Sequence, residues 1–159
     1  MTLNSGIKLA ALENLCPNIN YEVFQDEILM ASANVGAKHY QIDLSLCTPT
    51  FLLKLDQDFL VLIIQGNRKI DFKKLKKYLA NNKVSMASKE EILEICGVPV
   101  GSVSMVNPGL RTLVDLRIEG LNYCYGGCGI EKFTLKIDTR DLVRVTKAES
   151  GDFSNEKDI

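Results

Sequence analysis

The residues whose types and spacing could do chemistry lie between positions 97 and 129. They read Gly97-Val-Pro-Val-Gly101-Ser-Val-Ser-Met105, then Leu113-Val-Asp115, then Asn122-Tyr-Cys-Tyr-Gly126-Gly-Cys-Gly129. Two glycine-bearing loops flank a short apolar segment that carries one acid. Glycine lets a backbone approach a ligand where a Cβ would forbid it, so two such loops can form a cleft whose backbone N–H groups face a ligand. Gly101 and Ser102 are the candidates in the first loop and Gly127 in the second, with a plain turn as the alternative for each. Gly126 and Gly129 serve the second turn itself. Asp115 sits in a segment apolar enough to be buried. A buried carboxylate needs partners, which loop N–H groups or a ligand's ammonium group can supply; the alternative is a structural acid that caps the next turn.

Other reactive side chains are sparse. His39 is the only histidine; it has no acid or cysteine at a fixed spacing and reads as a surface or packing residue. Any Ser-His-Asp or Cys-His arrangement would have to use it. Cys124 and Cys128 resemble half of a metal site whose second half is missing, so no metal is expected there. An odd set of five cysteines suits free thiols in a reducing compartment. Seven of the nineteen basic residues fall within sixteen positions: Arg68, Lys69, Lys73, Lys74, Lys76, Lys77 and Lys83. Such a run is either a solvated helix face or a patch that contacts phosphates. The net charge of −1 gives the whole molecule no field for a polyanion, so only a local patch could meet one. No apolar run approaches the ~20 residues of a membrane span and no basic-then-apolar leader opens the chain, so a cytoplasmic protein without membrane contact is expected.

These residues need elements to hold them. Hydrophobic periodicity predicts a helix over residues 5–15 capped by Ser5, a short strand at 21–24, and a helix over 25–35 closed by Gly36. Residues 40–46 alternate like a strand. Residues 50–55 and 59–64 form a hairpin around Asp56-Gln57-Asp58, and the second run is apolar on both faces, as in a central strand. Asp71 caps a helix to about residue 80. A strand at 84–87 leads to a helix opened by the Ser88/Glu91 capping box and closed by Gly97. Strands follow at 112–115, 121–125 and 132–137, then a helix over 139–147 opened by Asp138. Residues 149–159 are polar and read as a disordered tail behind a single domain over 1–148. The fold class is α+β: one domain with a mixed β-sheet or partly closed barrel flanked by helices.

The order of these features resembles the YbaK/aminoacyl-tRNA deacylase family, which includes the editing domain of bacterial prolyl-tRNA synthetases. The resemblance runs from about residue 22 to 146. It rests on Met30-Ala-Ser-Ala-Asn-Val-Gly36, on Pro49-Thr-Phe-Leu-Leu53 with the strand that follows, and on Gly66-Asn-Arg-Lys-Ile-Asp-Phe-Lys-Lys-Leu75. It continues through Ala87-Ser-Lys-Glu-Glu-Ile92, Gly97-Val-Pro-Val-Gly101-Ser-Val-Ser104, Val114-Asp115-Leu116, Cys124-Tyr-Gly-Gly127-Cys-Gly129 and Ile137-Asp-Thr-Arg-Asp-Leu142-Val-Arg-Val-Thr146. The resemblance implies hydrolysis of the ester that joins a wrong amino acid to the 3′ end of a tRNA such as that for proline, without a cofactor. Where the family carries a lysine near the scissile ester, this chain has Pro49, which has neither charge nor N–H. Lys54 lies an odd number of residues away, on the opposite face of a regular strand.

The expected function is therefore a trans-editing aminoacyl-tRNA deacylase. Gly101, Ser102, Asp115 and Thr50 are the catalytic candidates. Thr48, Met105, Cys124 and Gly127 line the substrate, and Arg68, Lys69, Lys73, Lys76 and Lys77 contact the tRNA. The partners are aminoacyl-tRNA and an aminoacyl-tRNA synthetase, with the protein a monomer or a homodimer. The alternative is a relative that keeps the cleft as a binding module for tRNA, a nucleotide or a small ligand, since Pro49 replaces the lysine. A third reading is an ester or amide hydrolase that uses Cys47 or Cys124 as nucleophile.

Overall fold

A computed structural model describes residues 3–4, 9–15 and 18–157 of the 159-residue chain. In order, the strands are β1 (Leu3–Asn4), β2 (Tyr21–Gln25), β3 (Thr50–Leu55), β4 (Asp58–Ile63), β5 (Arg68–Ile70), β6 (Val84–Met86), β7 (Arg111–Asp115), β8 (Tyr123–Gly127), β9 (Phe133–Asp138), β10 (Glu149–Gly151) and β11 (Ser154–Glu156). The α-helices are α1 (Ala10–Leu15), α2 (Ala33–Tyr40), α3 (Phe72–Leu79), α4 (Lys89–Cys96) and α5 (Thr139–Thr146), and two short 3-10 turns cover Leu44–Leu46 and Leu116–Gly120.

The centre is a five-stranded mixed sheet in the order β10-β7-β4-β3-β6. β3 pairs antiparallel with β4 and β6, while β7 runs parallel to both β4 and β10. The all-apolar run at 60–64 lies in the middle strand, as expected, and Leu60, Val61, Leu62, Ile63 and Ile64 are all but inaccessible. A second, antiparallel sheet has the order β1-β2-β9-β8, and β5 pairs with β11. The architecture is the expected α+β domain with a mixed sheet.

Side chains alternate between the two faces of a strand, and the core divides accordingly. Leu53, Leu60, Leu62 and Leu113 pack with Leu75 of α3, Val84 and Phe153. On the opposite face, Leu52 and Val61 pack with Ile92 of α4 and Val103, while Ile63 and Val114 join Met105, the inner side chains of the second sheet and Leu142 of α5. One face of the central sheet thus carries α3 and the C-terminal strands. The other carries the glycine loop, α4, α5 and the second sheet.

Several local expectations hold for visible reasons. Asp71 accepts the Lys74 N–H at the start of α3, Ser88 and Glu91 form both halves of the capping box, and Asp138 caps α5. Others are corrected. Residues 25–35 are not a helix: Gln25 ends β2, and 26–31 is a loop held by buried Asp26, which accepts from Thr134 Oγ1 at 2.7 Å and from the Tyr40 hydroxyl. The helix is α2, capped by Ser32, and Gly36 lies inside it. Residues 40–46 are not a strand but the end of α2 and a 3-10 turn. Gly126 and Gly127 belong to β8 rather than to a turn. The helix over 5–15 is confined to α1 within the described residues, and positions 5–8 with the Ser5 cap lie outside them.

The largest correction concerns the polar C-terminal stretch. Glu149 to Gly151 extend the central sheet, Ser154 to Glu156 pair with β5, and Phe153 and Ser154 are fully buried. Polar contacts and the single buried ring of Phe153, not apolar periodicity, hold this segment. Arg68 donates to the Ser154 hydroxyl and carbonyl at 2.7 and 3.0 Å, Asn155 donates to Asp71 at 2.6 Å, and Lys157 donates to the Gly66 carbonyl at 2.7 Å.

Candidate functional site

The site is built where the start of β3, the first glycine loop and β8 meet. Residues 47–50 run from the 3-10 turn into β3. Thr48 donates its N–H to the Tyr125 carbonyl of β8 at 2.8 Å. Its hydroxyl donates to the same carbonyl at 3.1 Å and touches Met105 Sδ at 3.3 Å. Met105 in turn donates its N–H to the Gly127 carbonyl at 3.0 Å. Thr48, Met105 and Gly127 are therefore one contiguous construction.

The glycines explain how the loop lies so close to the strand. A Cβ on Gly127 would stand 2.2 Å from the Val103 carbonyl oxygen, and one on Gly126 would stand 2.6 Å from Met105 Sδ. Gly101, at φ 92°, supplies the left-handed bend that turns the chain into this contact. A Cβ there would lie 3.8 Å from the Met30 carbonyl, so the 26–31 loop forms the neighbouring wall. The N–H groups of Gly101, Val103 and Ser104 make no hydrogen bond among the described residues. They are the loop donors that the protein's own hydrogen bonds leave unused. A cavity of about 240 Å³ lies behind the loop, lined by Leu9, Leu12, Cys96, Ser104, Val106, Asn107, Cys128 and Leu135.

Thr50 lies two residues beyond Thr48, on the face it shares with Leu52 and opposite Ile63 in the register. Its hydroxyl is buried and has no hydrogen-bond partner among the described residues. A buried hydroxyl left so costs free energy unless something satisfies it. Pro49 contributes only its carbonyl, 3.4 Å from the Ile64 N–H. Lys54 does not stand in for the missing lysine: its ammonium pairs with Glu91 of α4 at 2.6 Å. Ser102 is buried within the loop.

Three groups of expected site residues are placed elsewhere or differently. Asp115 is fully buried, but on the α3 face of the central sheet, because Leu113 and Asp115 point one way and Thr112 and Val114 the other. Its carboxylate accepts from the Arg117 and Phe153 N–H groups at 3.1 and 3.0 Å, from the Ser154 hydroxyl at 2.8 Å and from the Arg117 guanidinium at 3.3 Å. It caps the 3-10 turn and anchors the C-terminal strand, and each of these contacts lies within the fold, on the face of the sheet away from the glycine loop. The basic run is likewise on the α3 side. Arg68 is engaged with Ser154, Lys74 with Asp152, and Lys73, Lys77 and Lys69 point outward; none lines the cleft with Thr48 and Gly127. Cys124 is fully buried beneath β8 and Cys47 nearly so. Burial pushes each thiol up to about 11, with Asp43 adding to the shift at Cys47. A thiolate is therefore scarce at neutral pH, and neither residue suits nucleophilic attack.

Sequence reasoning missed Tyr125, whose carbonyl receives Thr48, and the 26–31 loop. The alternation of Tyr123, Tyr125 and Gly127 along one strand face was the signal for the first; nothing local announced the second.

A mixed-sheet α+β domain with a glycine loop laid beside the start of a central strand is the class that fold and site define. The chain belongs to the aminoacyl-tRNA editing domain family, whose model matches residues 29–145. It is similar to the proline–tRNA ligase of Thermosipho melanesiensis, 27% identical over 149 residues, covering 81% of this chain and 26% of the ligase. It is also similar to that of Thermosipho africanus, 38% identical over 71 residues, covering 43% of this chain and 13% of the ligase. The chain thus spans about a quarter or less of these relatives. Among solved structures, a proposed trans-editing enzyme for prolyl tRNA synthetase superposes with a TM-score of 0.79 at 14% identity, covering 94% of this chain and 99% of that one. Among the described residues no helix is long and apolar enough to cross a membrane.

Proposed function

We propose that this protein is a trans-editing aminoacyl-tRNA deacylase of the cytoplasm, acting on mischarged tRNA of the kind a prolyl-tRNA synthetase releases. One observation carries the reading. The loop at 101–105 is laid against β8 beside Thr48, with its N–H groups at Gly101, Val103 and Ser104 open and the unpartnered Thr50 hydroxyl two residues on. In this reading the terminal adenosine and its amino acid enter between the loop and β3. The open N–H groups hold the carbonyl oxygen as it gains charge, which stabilises the tetrahedral intermediate. Thr50 Oγ1 positions the attacking water or the ribose hydroxyl. Positioning and oxyanion stabilisation then replace a protein base. Asp115 is left out, because all its contacts lie within the fold.

The test is deacylation of alanyl-, cysteinyl- and seryl-tRNA for proline against buffer alone. Accelerated loss from one or two members is expected, with Thr50→Val at least tenfold slower and no less stable. Hydrolysis of none, by native protein at saturating concentration, refutes the activity. The engagement of Lys54 with Glu91 favours one second reading, a non-catalytic tRNA-binding relative. In that case Pro49→Lys creates hydrolysis where the native chain has none.

A further inference from the structure

The outer face of the second sheet carries a feature that the cleft does not use. Along β8, Tyr123 and Tyr125 point outward on either side of buried Cys124. Their rings meet edge to face at 5.9 Å, and Tyr125 packs against Tyr40 at 5.2 Å. Lys136 of β9 lies over the Tyr123 ring with its ammonium 4.3 Å from the centroid. Beside this pair, where β2, β8 and β9 end, is a cavity of about 210 Å³. Asn20, Glu22, Asn122, Tyr123 and Lys136 are among the residues that line it. The backbones of the two asparagines are pinned: Asn20 accepts from Asp138 N–H and donates to Asp141, and Asn122 accepts from Thr139 N–H. Their side-chain amides are exposed. Asp138, also in the lining, is occupied as the cap of α5.

An exposed aromatic ring, a cation over it, two exposed amides on pinned backbone and one acceptor form a set that suits a nucleobase and its phosphate. We propose that this cavity is a docking site for an unpaired RNA nucleotide bearing an exocyclic amine. The base stacks on Tyr123, as bases do on aromatic side chains of single-strand binders. Lys136 turns from the ring to the phosphate, and Asn20 and Asn122 reach the base edge. Glu22 accepts from the amine, which favours cytosine over uracil. The site rests on the tRNA reading and extends it. Tyr123 is four residues along β8 from Gly127, roughly 13 Å at strand spacing. A cytidine preceding the terminal adenosine could occupy it while the adenosine lies in the cleft.

The experiment uses the full chain and a fluorescent acceptor-arm hairpin, either ending in unpaired ACCA or trimmed to a blunt end, read by anisotropy. Stacking on one ring predicts that Tyr123→Ala weakens binding to the tailed hairpin by about 5- to 150-fold. Tyr123→Phe stays within twofold of wild type, and blunt-hairpin binding is equal for all three. Replacing the unpaired cytosines with uracils weakens wild type and leaves Glu22→Gln unaffected. Equal binding by wild type and Tyr123→Ala, or equal loss in Tyr123→Phe and Tyr123→Ala, overturns the proposal. Two further outcomes separate the readings. If wild type hydrolyses mischarged tRNA and Tyr123→Ala binds unchanged, only this site falls. If wild type neither binds the tailed hairpin nor hydrolyses, the tRNA reading falls and takes the site with it.

Discussion

Gly127→Ala tests the core of the site. The added Cβ would stand 2.2 Å from the Val103 carbonyl oxygen and 3.0 Å from its carbon. These are backbone atoms, so the 101–105 loop has to leave β8 instead of flexing a side chain. The Met105 N–H then loses the Gly127 carbonyl, a net loss of about 1 kcal/mol. Met105, completely buried now, is drawn partly out of the core; full exposure of such a side chain costs roughly 1.5–3 kcal/mol. The expected destabilisation is about 2–4 kcal/mol, which lowers Tm by roughly 5–15 °C for a domain of this size. Gly126→Ala should do less, since the nearest atoms its Cβ meets belong to the Met105 side chain and not to backbone. Gly36→Ala is the control with the opposite sign. It sits inside α2 with only Cys47 Sγ at 3.8 Å, so alanine should stabilise by about 0.5–1 kcal/mol. Thermal unfolding followed by circular dichroism, with deacylation measured on the same samples, reads all three. A Gly127→Ala protein that melts within 2 °C of wild type and keeps its activity would refute the packing of loop on strand.

Three further outcomes are expected. Asp115→Asn should cost about 1.5–3 kcal/mol, the range for hydrogen bonds to a charged group. It should also expose residues 149–157 to protease, while leaving kcat unchanged at temperatures where the variant is folded; a selective loss of kcat would restore the catalytic role. The hydrogen bond from Arg111 holds the Glu149 carboxyl down at about 2, against an ordinary 4.5. A group whose pKa is lowered by folding contributes stability above its unfolded value and loses it as pH falls toward the folded one. Tm should therefore decline from about pH 4.5 to 2, and Glu149→Gln should flatten that decline. Finally, Lys73→Ala/Lys77→Ala should leave tRNA affinity and its salt dependence nearly unchanged, because α3 covers the face of the sheet opposite the cleft; a slope reduced by one or more per lysine removed would place the acceptor arm on α3.

The parts legible in the sequence are those that local chemistry decides. The hairpin β3–β4, the Asp71 and Ser88 caps, α5 and the apolar middle strand each follow from a few neighbouring residues. The errors arise where distant contacts overrule local signals. The stretch 30–40, with three alanines, is helical, but only from Ala33, behind the Ser32 cap, because Asp26 is drawn to Thr134 and Tyr40 instead of opening a helix. The C-terminal residues looked solvated because Phe153 is one apolar side chain among polar ones, and its partners lie at positions 62, 75 and 113. In the site, Thr48, Met105 and Gly127 are drawn together by contacts between residues 48, 105, 125 and 127, which are far apart in the chain. Asp115 is not among them, and two-residue alternation with Leu113 already set it on the other face.

The anchoring of Asp115 also bears on how the chain is made. Its main hydrogen-bond donor outside its own turn, the Ser154 hydroxyl, lies 39 residues later in the chain. At roughly 5–20 residues per second of synthesis, that interval lasts about 2–8 s. During it the carboxylate stays hydrated, β7 has no β10 beside it, and the apolar face that Phe153 closes is open. Closure of this half of the molecule over Leu62 and Leu113 thus waits on the last residues of the chain to be made.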